Sequence, residues 1–490
     1  MPISFNQIPA NALVPFNFVE FDGSRAVTPT GTFRSLLIGQ RLASGNVSAN
    51  SPVQINSVAA AEIAFGANSM LAFMASRFRQ NSPLAEMWCV ALDDVAAGSA
   101  ADAEIQVTSA ATARGEVALY IAGRRVAVPL AGGESVNATA AAINAAITAQ
   151  VATLPATSAV ANDTVTITHR HLGPIDMDVR FNYQNTDIFP AGFAATITAT
   201  AGTGTQPTAD IDAALATVQE EKFDLIAHDY TDPTSVAAIE AALETRWGPA
   251  TQFGGLAIGS YRSANATPAE ATTYGNARNS RFACTIGHQS SPTPTYEMAS
   301  AVIGAVHQPA ANDPARPFQT LQVHGVLPPE AGEQWNTAAR NTVLGDGIAT
   351  YRVGAGGIVR IERLVTNYQE SPAGTPDAAF RDANTPLTLQ YLRTDWRQYF
   401  GGKYGRHKLA DDGTRFDDGQ PIMTPSLGRA EAIGRARQWE SAGLIENADA
   451  FKEGLVVVRN ATDRNRLDFL MTPDLVNQLR VTGVQIAFAL

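Results

Sequence analysis

The sequence predicts an α/β fold: a doubly wound, mostly parallel sheet domain with a β-rich insertion, an α+β C-terminal domain and extended terminal arms. Three observations predict it. Short, almost wholly apolar runs alternate with helical segments, as buried parallel strands and their crossover helices do. The composition shifts to Ala, Thr and Gly between about residues 96 and 205. At both ends of the chain, apolar residues alternate with polar ones.

The chain has 490 residues, which is enough for several domains. The composition shifts and turn-rich stretches predict an N-terminal arm over residues 1–30 and a discontinuous α/β domain over 31–95 and 206–370. They also predict a β-rich surface insertion over 96–205 and a C-terminal domain with a terminal strand over 371–490.

The apolar runs of the α/β domain have the composition of buried parallel strands. They cover residues 33–39, 87–92, 223–228, 255–259 and 281–286. Helices fit between them at residues 57–65, 69–79, 235–247 and 268–279. Thr267 and Glu270 form a capping-box pattern at the start of the last helix, with Pro268 at its first position. This alternation predicts the doubly wound sheet.

The predicted insertion is rich in alternating segments. Its strands are expected at residues 116–121, 164–169, 179–183 and 195–200, and one helix at 137–150. Insertions are tolerated at loop tips, so we expect this region to project from the surface.

The first thirty residues are interrupted by prolines at positions 2, 9, 15 and 29, which exclude a helix and favour extended backbone. Between them, Val14, Phe16 and Phe18 alternate with polar or acidic neighbours, the period of a half-buried strand. The pattern alone is equally compatible with an ordinary first strand of the fold and with an arm that leaves it.

The C-terminal end shows the same period. Val484, Ile486, Phe488 and Leu490 alternate strictly in a strand predicted over residues 481–490. Extended apolar termini are a liability on a single chain, because exposed strand edges invite pairing with another chain. The sequence therefore predicts that both ends of the chain can pair as strands with another chain.

The C-terminal domain follows a turn-rich linker at residues 371–377. An amphipathic helix begins near Pro386, and a second is predicted at 427–441, ending at Gly443; strands are expected at 455–459 and 466–471. The polar side of the first helix and the loop after it carry five basic residues, opposed only by Asp395: Arg393, Arg397, Lys403, Arg406 and Lys408.

Charge divides the chain. Residues 1–370 hold 20 Lys and Arg against 31 Asp and Glu, while residues 371–490 hold 15 of each, so the net charge of −11 belongs to the first part. An acidic chain is a poor nucleic-acid binder, so we expect no nucleic acid partner. A basic cluster within the neutral part favours an acidic protein partner.

The hydropathy of the sequence predicts no membrane-spanning helix. No apolar run approaches the roughly 20 residues that a membrane span needs, and the N-terminus lacks the features of a signal peptide, so we expect a protein made in a cytoplasm. Cys89 and Cys284 lie in apolar stretches and are predicted to be buried and unpaired.

α/β domains of this size are often enzymes, and an enzyme would be expected to carry catalytic or cofactor-binding motifs. The sequence has no Gly-x-Ser-x-Gly, phosphate-loop or His-Glu-x-x-His motif. The glycine-rich residues 354–357 lie between two β-like runs, so a hairpin turn is favoured over a cofactor loop. The sequence thus predicts no enzyme and no cofactor.

Two groups of residues could suggest a metal site. Asp411-Asp412-Gly413 and Asp417-Asp418-Gly419 do not match the spacing of a calcium loop, so turns flanking Phe416 are favoured. His169 and His171 would face the same side of a strand, but no third ligand lies nearby in sequence, so a hydrogen-bonded or solvated pair is favoured. We predict no metal.

Several motifs resemble Mu-like phage tail sheath proteins. Residues 391–397 (YLRTDWR), 403–413 (KYGRHKLADDG) and 468–489 resemble the C-terminal domain of that family, and residues 3–6 and 19–22 resemble its N-terminus. The resemblance spans the chain except the insertion. It implies a structural subunit of a contractile tail sheath, which polymerises around a tail tube and shortens to drive the tube through the host envelope for genome ejection.

The resemblance also implies partners and places. They are further copies in six-fold rings or helical strands, the tail tube protein, the baseplate and the tail terminator; the subunit would assemble in the host cytoplasm and reside in the virion tail. In such sheaths terminal arms add strands to a sheet of a neighbour's C-terminal domain. Val14, Phe16, Phe18, Val484, Ile486 and Phe488 would then lie in strands between subunits, and the five basic residues would face the tube.

The family is also described as having a subtilisin-like domain. The matching catalytic signatures are lacking, since His324-Gly325 is followed by Val326-Leu327 and no Gly-Thr-Ser-Met-Ala occurs, so proteolysis is not implied. Two alternatives stay open: a sheath of a phage-tail-like bacteriocin or type VI secretion system, and a cytoplasmic α/β hydrolase. Labelling by an activity-based serine probe would favour the hydrolase.

Overall fold

The structure is a computed structural model, and it describes residues 33–94, 97–175, 177–185, 187–204, 208–417 and 419–488. The predicted N-terminal strand with Val14, Phe16 and Phe18 lies outside these residues, as do Ala489 and Leu490. The residues from Phe33 onward cluster as one unit.

The elements follow one another in an α/β order with many short strands near the end. The strands are β1 (Arg34–Gln40), β2 (Val53–Gln54), β3 (Glu86–Leu92), β4 (Ala100–Ser109), β5 (Gly115–Ile121), β6 (Arg124–Leu130), β7 (Ala156–Ala161), β8 (Thr164–Leu172), β9 (Val179–Phe181), β10 (Ala194–Thr200), β11 (Leu225–Ala227), β12 (Leu256–Tyr261), β13 (Ala283–Gly287), β14 (Ile348–Val353), β15 (Val359–Arg363), β16 (Lys408–Leu409), β17 (Ile422–Met423), β18 (Ile445–Glu446), β19 (Val456–Arg459), β20 (Leu467–Leu470) and β21 (Asp474–Leu475). The helices are α1 (Val58–Phe65), α2 (Met70–Asn81), α3 (Val136–Ala149), α4 (Thr208–Thr217), α5 (Pro233–Trp247), α6 (Pro268–Asn276), α7 (Thr295–Asn312), α8 (Thr337–Gly345), α9 (Asn384–Tyr404), α10 (Pro425–Ser441) and α11 (Ala448–Gly454).

An eight-stranded sheet organises the α/β domain, in the order β15-β14-β13-β12-β11-β1-β3-β2. The five strands predicted for this domain are present as β1, β3, β11, β12 and β13, and they pair in parallel. The edge strands β2 and β15 run antiparallel to their neighbours. Residues 354–357 form the turn of the β14–β15 hairpin, which confirms that prediction.

Helices cover both faces of this sheet. Successive side chains of β1 point to opposite faces, so each face needs its own cover. Leu37 packs in the cluster that holds α1, α2 and α7, whereas Leu36 and Ile38 pack in the cluster that holds α4 and α5. The capping box of α6 is present: the Thr267 hydroxyl accepts from the Glu270 backbone N–H, and the Glu270 carboxylate accepts from the Thr267 backbone N–H.

Helix α7 is absent from the sequence-based prediction. It begins without a capping side chain, contains Pro309 and buries polar residues such as Glu297, so the usual sequence signals of a helix are missing. It packs against α2 and beneath β11 and β12.

Residues 100–200 fold around their own core of apolar side chains. One sheet has the order β10-β4-β8-β7 and the other β6-β5-β9, with α3 against them. The four predicted strands and the predicted helix are present, and β4, β6 and β7 are additional. The limits predicted for the insertion and the other domains stay a prediction.

The C-terminal region is built on two long helices, α9 and α10, both of which were predicted, the first of them from its amphipathic pattern. Leu392, Ala436, Trp439 and Phe451 lie at the centre of its core. Three pairs of short strands surround the helices: β16 with β17, β18 with β21, and β19 with β20. Within the described residues, no helix is long and apolar enough to cross a bilayer.

The chain's last described residues correct one prediction. A strand was expected over residues 481–490, but residues 476–488 form no regular element. A strand needs a hydrogen-bonded neighbour, and none of the described residues supplies one there.

Candidate assembly surface

Within the described residues, large exposed apolar side chains are concentrated near the C-terminus. Val484, Ile486 and Phe488 expose 77%, 83% and 81% of their surface, and Leu479 and Val481 are also exposed. Side chains of this size are usually buried in a soluble protein, and leaving each in water forgoes about 2 kcal/mol. Their regular spacing fits one face of a strand that lacks its sheet.

A second apolar surface lies on the β19–β20 hairpin. Val457 and Phe469 are partly buried against the core of the C-terminal region. Val456, Val458 and Leu470 point away from it and are exposed. The outer edges of both strands have no strand partner among the described residues. A two-stranded ribbon of this kind is marginal alone and can accept a further strand.

Sequence reasoning placed both strands of this hairpin but did not identify it as a surface. The signal was available in the run Val456-Val457-Val458. A strand that is apolar at every position must present apolar side chains on both faces, and here one face meets the core while the other meets solvent.

The basic residues of the C-terminal region do not form one uniform patch. Arg393 is half-buried: its guanidinium stacks 4.0 Å from the Trp247 ring, and its Nη1 donates to the Trp247 carbonyl at 2.8 Å. Burial lowers the pKa of Arg393, and neighbouring arginines lower it further. The side chain joins α9 to the end of α5, and its place on a tube-facing surface stays a prediction.

The other four basic residues are exposed. Lys403 Nζ lies 3.0 Å from Glu431 Oε2, and Lys408 Nζ donates to Gln420 at 3.0 Å. Burial would lower the pKa of Lys403, but hydrogen bonds with Tyr404, Glu431 and Tyr399 outweigh it and raise the pKa. Arg397 and Arg406 have no ion-pair partner within the described part of the chain.

Asp395, the acidic residue within the basic run, serves the fold. It is buried, accepts two hydrogen bonds from Arg435 and accepts one from Trp439 Nε1 at 2.7 Å. These contacts tie α9 to α10. Because this carboxylate is already neutralised by Arg435, it does not offset the charge of Arg397 and Arg406.

The residues that could have suggested a metal serve structural roles. His171 Nδ1 lies 2.7 Å from Asp94 Oδ1, and its Nε2 accepts from the Met70 backbone N–H at 2.8 Å. This geometry places the proton on Nδ1 and confirms a hydrogen-bonded histidine. Burial lowers the pKa of His169 to about 4. No group of three metal-ligating side chains occurs among residues that the structure describes.

Two of the aspartates near Phe416 also make structural contacts. Asp411 pairs with Arg459 and Arg464 of the β19–β20 turn, and Asp412 accepts from the Ser426 backbone N–H and hydroxyl at the start of α10. Asp418 lies outside the described residues. Cys89 and Cys284 are buried and free, as predicted, and burial raises the pKa of each thiol.

Comparison with known proteins gives matches along the whole chain. The models of the phage tail sheath protein central domain and the phage tail sheath C-terminal domain match residues 204–367 and 375–489. The Mu-like prophage FluMu tail sheath protein of Haemophilus influenzae is 35% identical over 494 aligned positions, which cover 100% of both chains.

Solved structures give weaker matches. The sheath tail protein from Desulfitobacterium hafniense has 12% identity and a TM-score of 0.48, and the match covers 94% of this chain and 100% of that one. A chain of the anti-feeding prophage baseplate has 10% identity and a TM-score of 0.49, with coverage of 98% and 100%.

Proposed function

This chain belongs to the Mu-like phage tail sheath family and is a structural subunit of a contractile tail sheath; from this premise we propose how its copies join and what they grip. The polymer would surround a tail tube in six-fold rings or helical strands. Its shortening would drive the tube through the host envelope for genome ejection. We take the role to be non-enzymatic, as expected for a structural family.

The single observation that carries the proposal is the exposed apolar arm, residues 481–488. In a polymer, that arm would lie as a strand on a neighbouring copy. Burial of Val484, Ile486 and Phe488 would then contribute about 2 kcal/mol each, and every backbone hydrogen bond about 1 kcal/mol, before the entropy cost of ordering the arm.

The β19–β20 hairpin is the acceptor we propose. Its exposed Val456, Val458 and Leu470 would meet the arm's apolar residues, and its free edges would supply the backbone hydrogen bonds. Donor and acceptor are different surfaces of the chain, so the contact is heterologous. Such contacts propagate into rings or helices, whereas a self-complementary contact would close as a dimer. The N-terminal arm with Val14, Phe16 and Phe18 is proposed to add a further strand.

The basic surface of the C-terminal region is proposed to hold the tail tube. Arg397 and Arg406 are its principal charges because they have no partner in the described chain, and Lys403 and Lys408 flank them. An acidic tube surface would pair with them. Arg393 is given a smaller part in the proposed surface because its guanidinium packs on Trp247.

The extended polymer would be kinetically trapped, and the shortened polymer would have the lower free energy. We propose that new contacts between acidic α/β domains of different subunits supply the difference, while the neutral C-terminal region stays with the tube. The charge division motivates these separate roles, since residues 1–370 carry the whole net charge. The baseplate and the tail terminator would end the polymer, the virion tail would be its location after assembly in the host cytoplasm, and no nucleic acid would take part.

Negative-stain microscopy of the concentrated full-length protein tests the proposal. We expect hollow, ringed tubes from the native chain. A chain that ends at Arg480 should stay monomeric, with unchanged melting. Tubes of normal length from the shortened chain would overturn the role of the C-terminal arm.

A further inference from the structure

The arm leaves the folded body at one sharply defined residue. Val481 and the apolar residues after it are exposed, whereas the side chain of Arg480 is largely buried. Arg480 Nη2 donates to Asp382 Oδ1 at 3.0 Å and lies 3.3 Å from Asn384 Oδ1, and its Nη1 lies 3.4 Å from Gln319 Oε1. Fixed and free parts of the chain therefore meet between residues 480 and 481.

Of the residues that hold Arg480, Gln319 lies in the α/β domain, whereas Asp382 and Asn384 lie at the start of the C-terminal region, beside and within α9. Asp382 also accepts two hydrogen bonds of 2.9 Å from Arg363, at the end of β15. Asn384 is buried and donates to the Pro314 and Arg316 carbonyls, beyond the end of α7. Two of the three acceptors, Asp382 and Asn384, are thus fixed by the body of the protein.

The backbone on the N-terminal side of Arg480 is fastened in the same place. Gln319 Nε2 donates to the Leu479 carbonyl at 3.1 Å, and Gln478 Nε2 donates to the Ala315 carbonyl at 3.1 Å. A few residues earlier, β21 pairs with β18 of the C-terminal region. Residues 474–480 thus connect the small sheet to the α/β domain before the arm begins.

Charge and burial single out Arg480 among these contacts. Burial lowers its pKa, and the nearby Arg363 lowers it too, while Asp382 favours the charged form. The Asp382 carboxylate therefore accepts hydrogen bonds from both Arg363 and Arg480 in a partly buried site. Removing Arg480 leaves the Arg363–Asp382 pair intact, so the contact with the arm can be broken without breaking the fold.

We propose that Arg480 is a positioning residue that fastens the donated arm to the junction between the α/β domain and α9 of its own chain. The inference rests on the proposed donation of the arm. A force on the arm would then reach β15 and the start of α9 through Asp382, and the weak two-residue pairing of β18 with β21 would be spared. Arg480 also sets the direction in which the arm leaves.

Trypsin cleavage after Arg480 in the full-length protein tests the fastening itself. A protease must draw the side chain out of its contacts, so its rate follows the population of the opened state. In Gln319→Ala, which removes one hydrogen bond to the Leu479 carbonyl and one contact to Arg480, we expect cleavage after Arg480 to rise about tenfold. Cleavage after the exposed Arg464 should not change and serves as the internal control. Equal cleavage of both arginines in the native chain would overturn the proposal.

Assembly separates this inference from the function on which it rests. We expect Arg480→Gln to melt like the native chain and to yield about fivefold less sedimented polymer, with Arg480→Lys partly restoring it. Arg437→Gln, an exposed arginine on α10, is the matched control. Normal polymer from Arg480→Gln, with none from Val484→Asp plus Ile486→Asp, would refute the fastening and retain arm donation. Normal polymer from both variants would refute arm donation itself.

Discussion

The α/β domain and the end of the chain treat apolar side chains in opposite ways. Around β1 and α7, leucines, valines and aromatic residues are buried within one subunit. On the β19–β20 hairpin and the arm after Arg480, side chains of the same kind face solvent. The first region is buried within a single chain, whereas the second is proposed to be buried only in contact with another copy. Stability and assembly should therefore be separable by mutation.

The arm should show the largest effect. Val484→Asp plus Ile486→Asp would place two charges on the proposed buried face, and we expect the amount of sedimented polymer to fall at least about 100-fold, because about 4 kcal/mol of apolar burial is lost. The melting temperature should not change. Gln485→Asp plus Ala487→Asp adds the same charge to the other face, and analytical ultracentrifugation should show far milder loss.

The core should show the reverse pattern. Phe78 on α2 is fully buried, so Phe78→Ala is expected to lower the free energy of unfolding by about 3–5 kcal/mol through lost contacts and a residual cavity. Denaturant unfolding measures this change. At temperatures where the variant is folded, its polymer should be normal; a folded variant that failed to polymerise would show that the two regions are not independent.

Acidification should also act on the body and spare the arm. Burial lowers the pKa of His169, His228 and His307 to about 4, from an ordinary value of 6.5. Between those values the unfolded chain binds more protons, so stability that is complete above pH 6.5 is lost as the pH falls, by up to about 1.4 kcal/mol per pH unit for each ring. Thermal melts from pH 7 to 4.5 should show it, with a shallower slope for His228→Gln. Residues 481–488 contain no titratable side chain, so they should not contribute.

The smallest effect is expected at the basic surface. Arg397→Glu plus Arg406→Glu should weaken co-sedimentation with tail tubes several-fold at low salt and less at high salt, because exposed charges are screened. Polymerisation without tubes should persist. Arg393→Gln should instead lower stability, since its guanidinium packs on Trp247. Equal tube binding by the Glu variant and the native chain would remove these arginines from the tube surface.

Sequence patterns predicted the elements whose buried residues recur at the spacing of a helix or form a short apolar run. The parallel strands were predictable from short continuous apolar runs, and α9 and α10 from apolar spacing in the first and a Gly443 stop in the second. Helix α7 was not, because it begins without a capping side chain, contains Pro309 and buries polar residues such as Glu297. The alternation of Val484, Ile486 and Phe488 predicted a strand that described residues 481–488 do not form in the single chain. Its pairing with the sheet of another copy stays a prediction.

The contacts of charged side chains were harder to predict. Arg393 and Arg397 are one helical turn apart, and no pattern separates the one that packs on Trp247 from the one that faces solvent. Arg480 reaches residues about 100 and 160 positions earlier, a distance that local sequence does not encode. Glu297, fully buried between Arg77 and Arg124, is likewise visible only in three dimensions.

Cysteine crosslinking between two differently substituted chains tests the central claim most directly. One chain carries Val458→Cys on the hairpin, and the other carries a cysteine at 484, 486 or 488; the native Cys89 and Cys284 are buried. After mixing and mild oxidation, we predict covalent dimers for at least one arm position, formed only when both chains are present and accumulating with polymer. Polymers that form without any such crosslink, at all three arm positions, would contradict the donation of the C-terminal arm to a neighbour's hairpin.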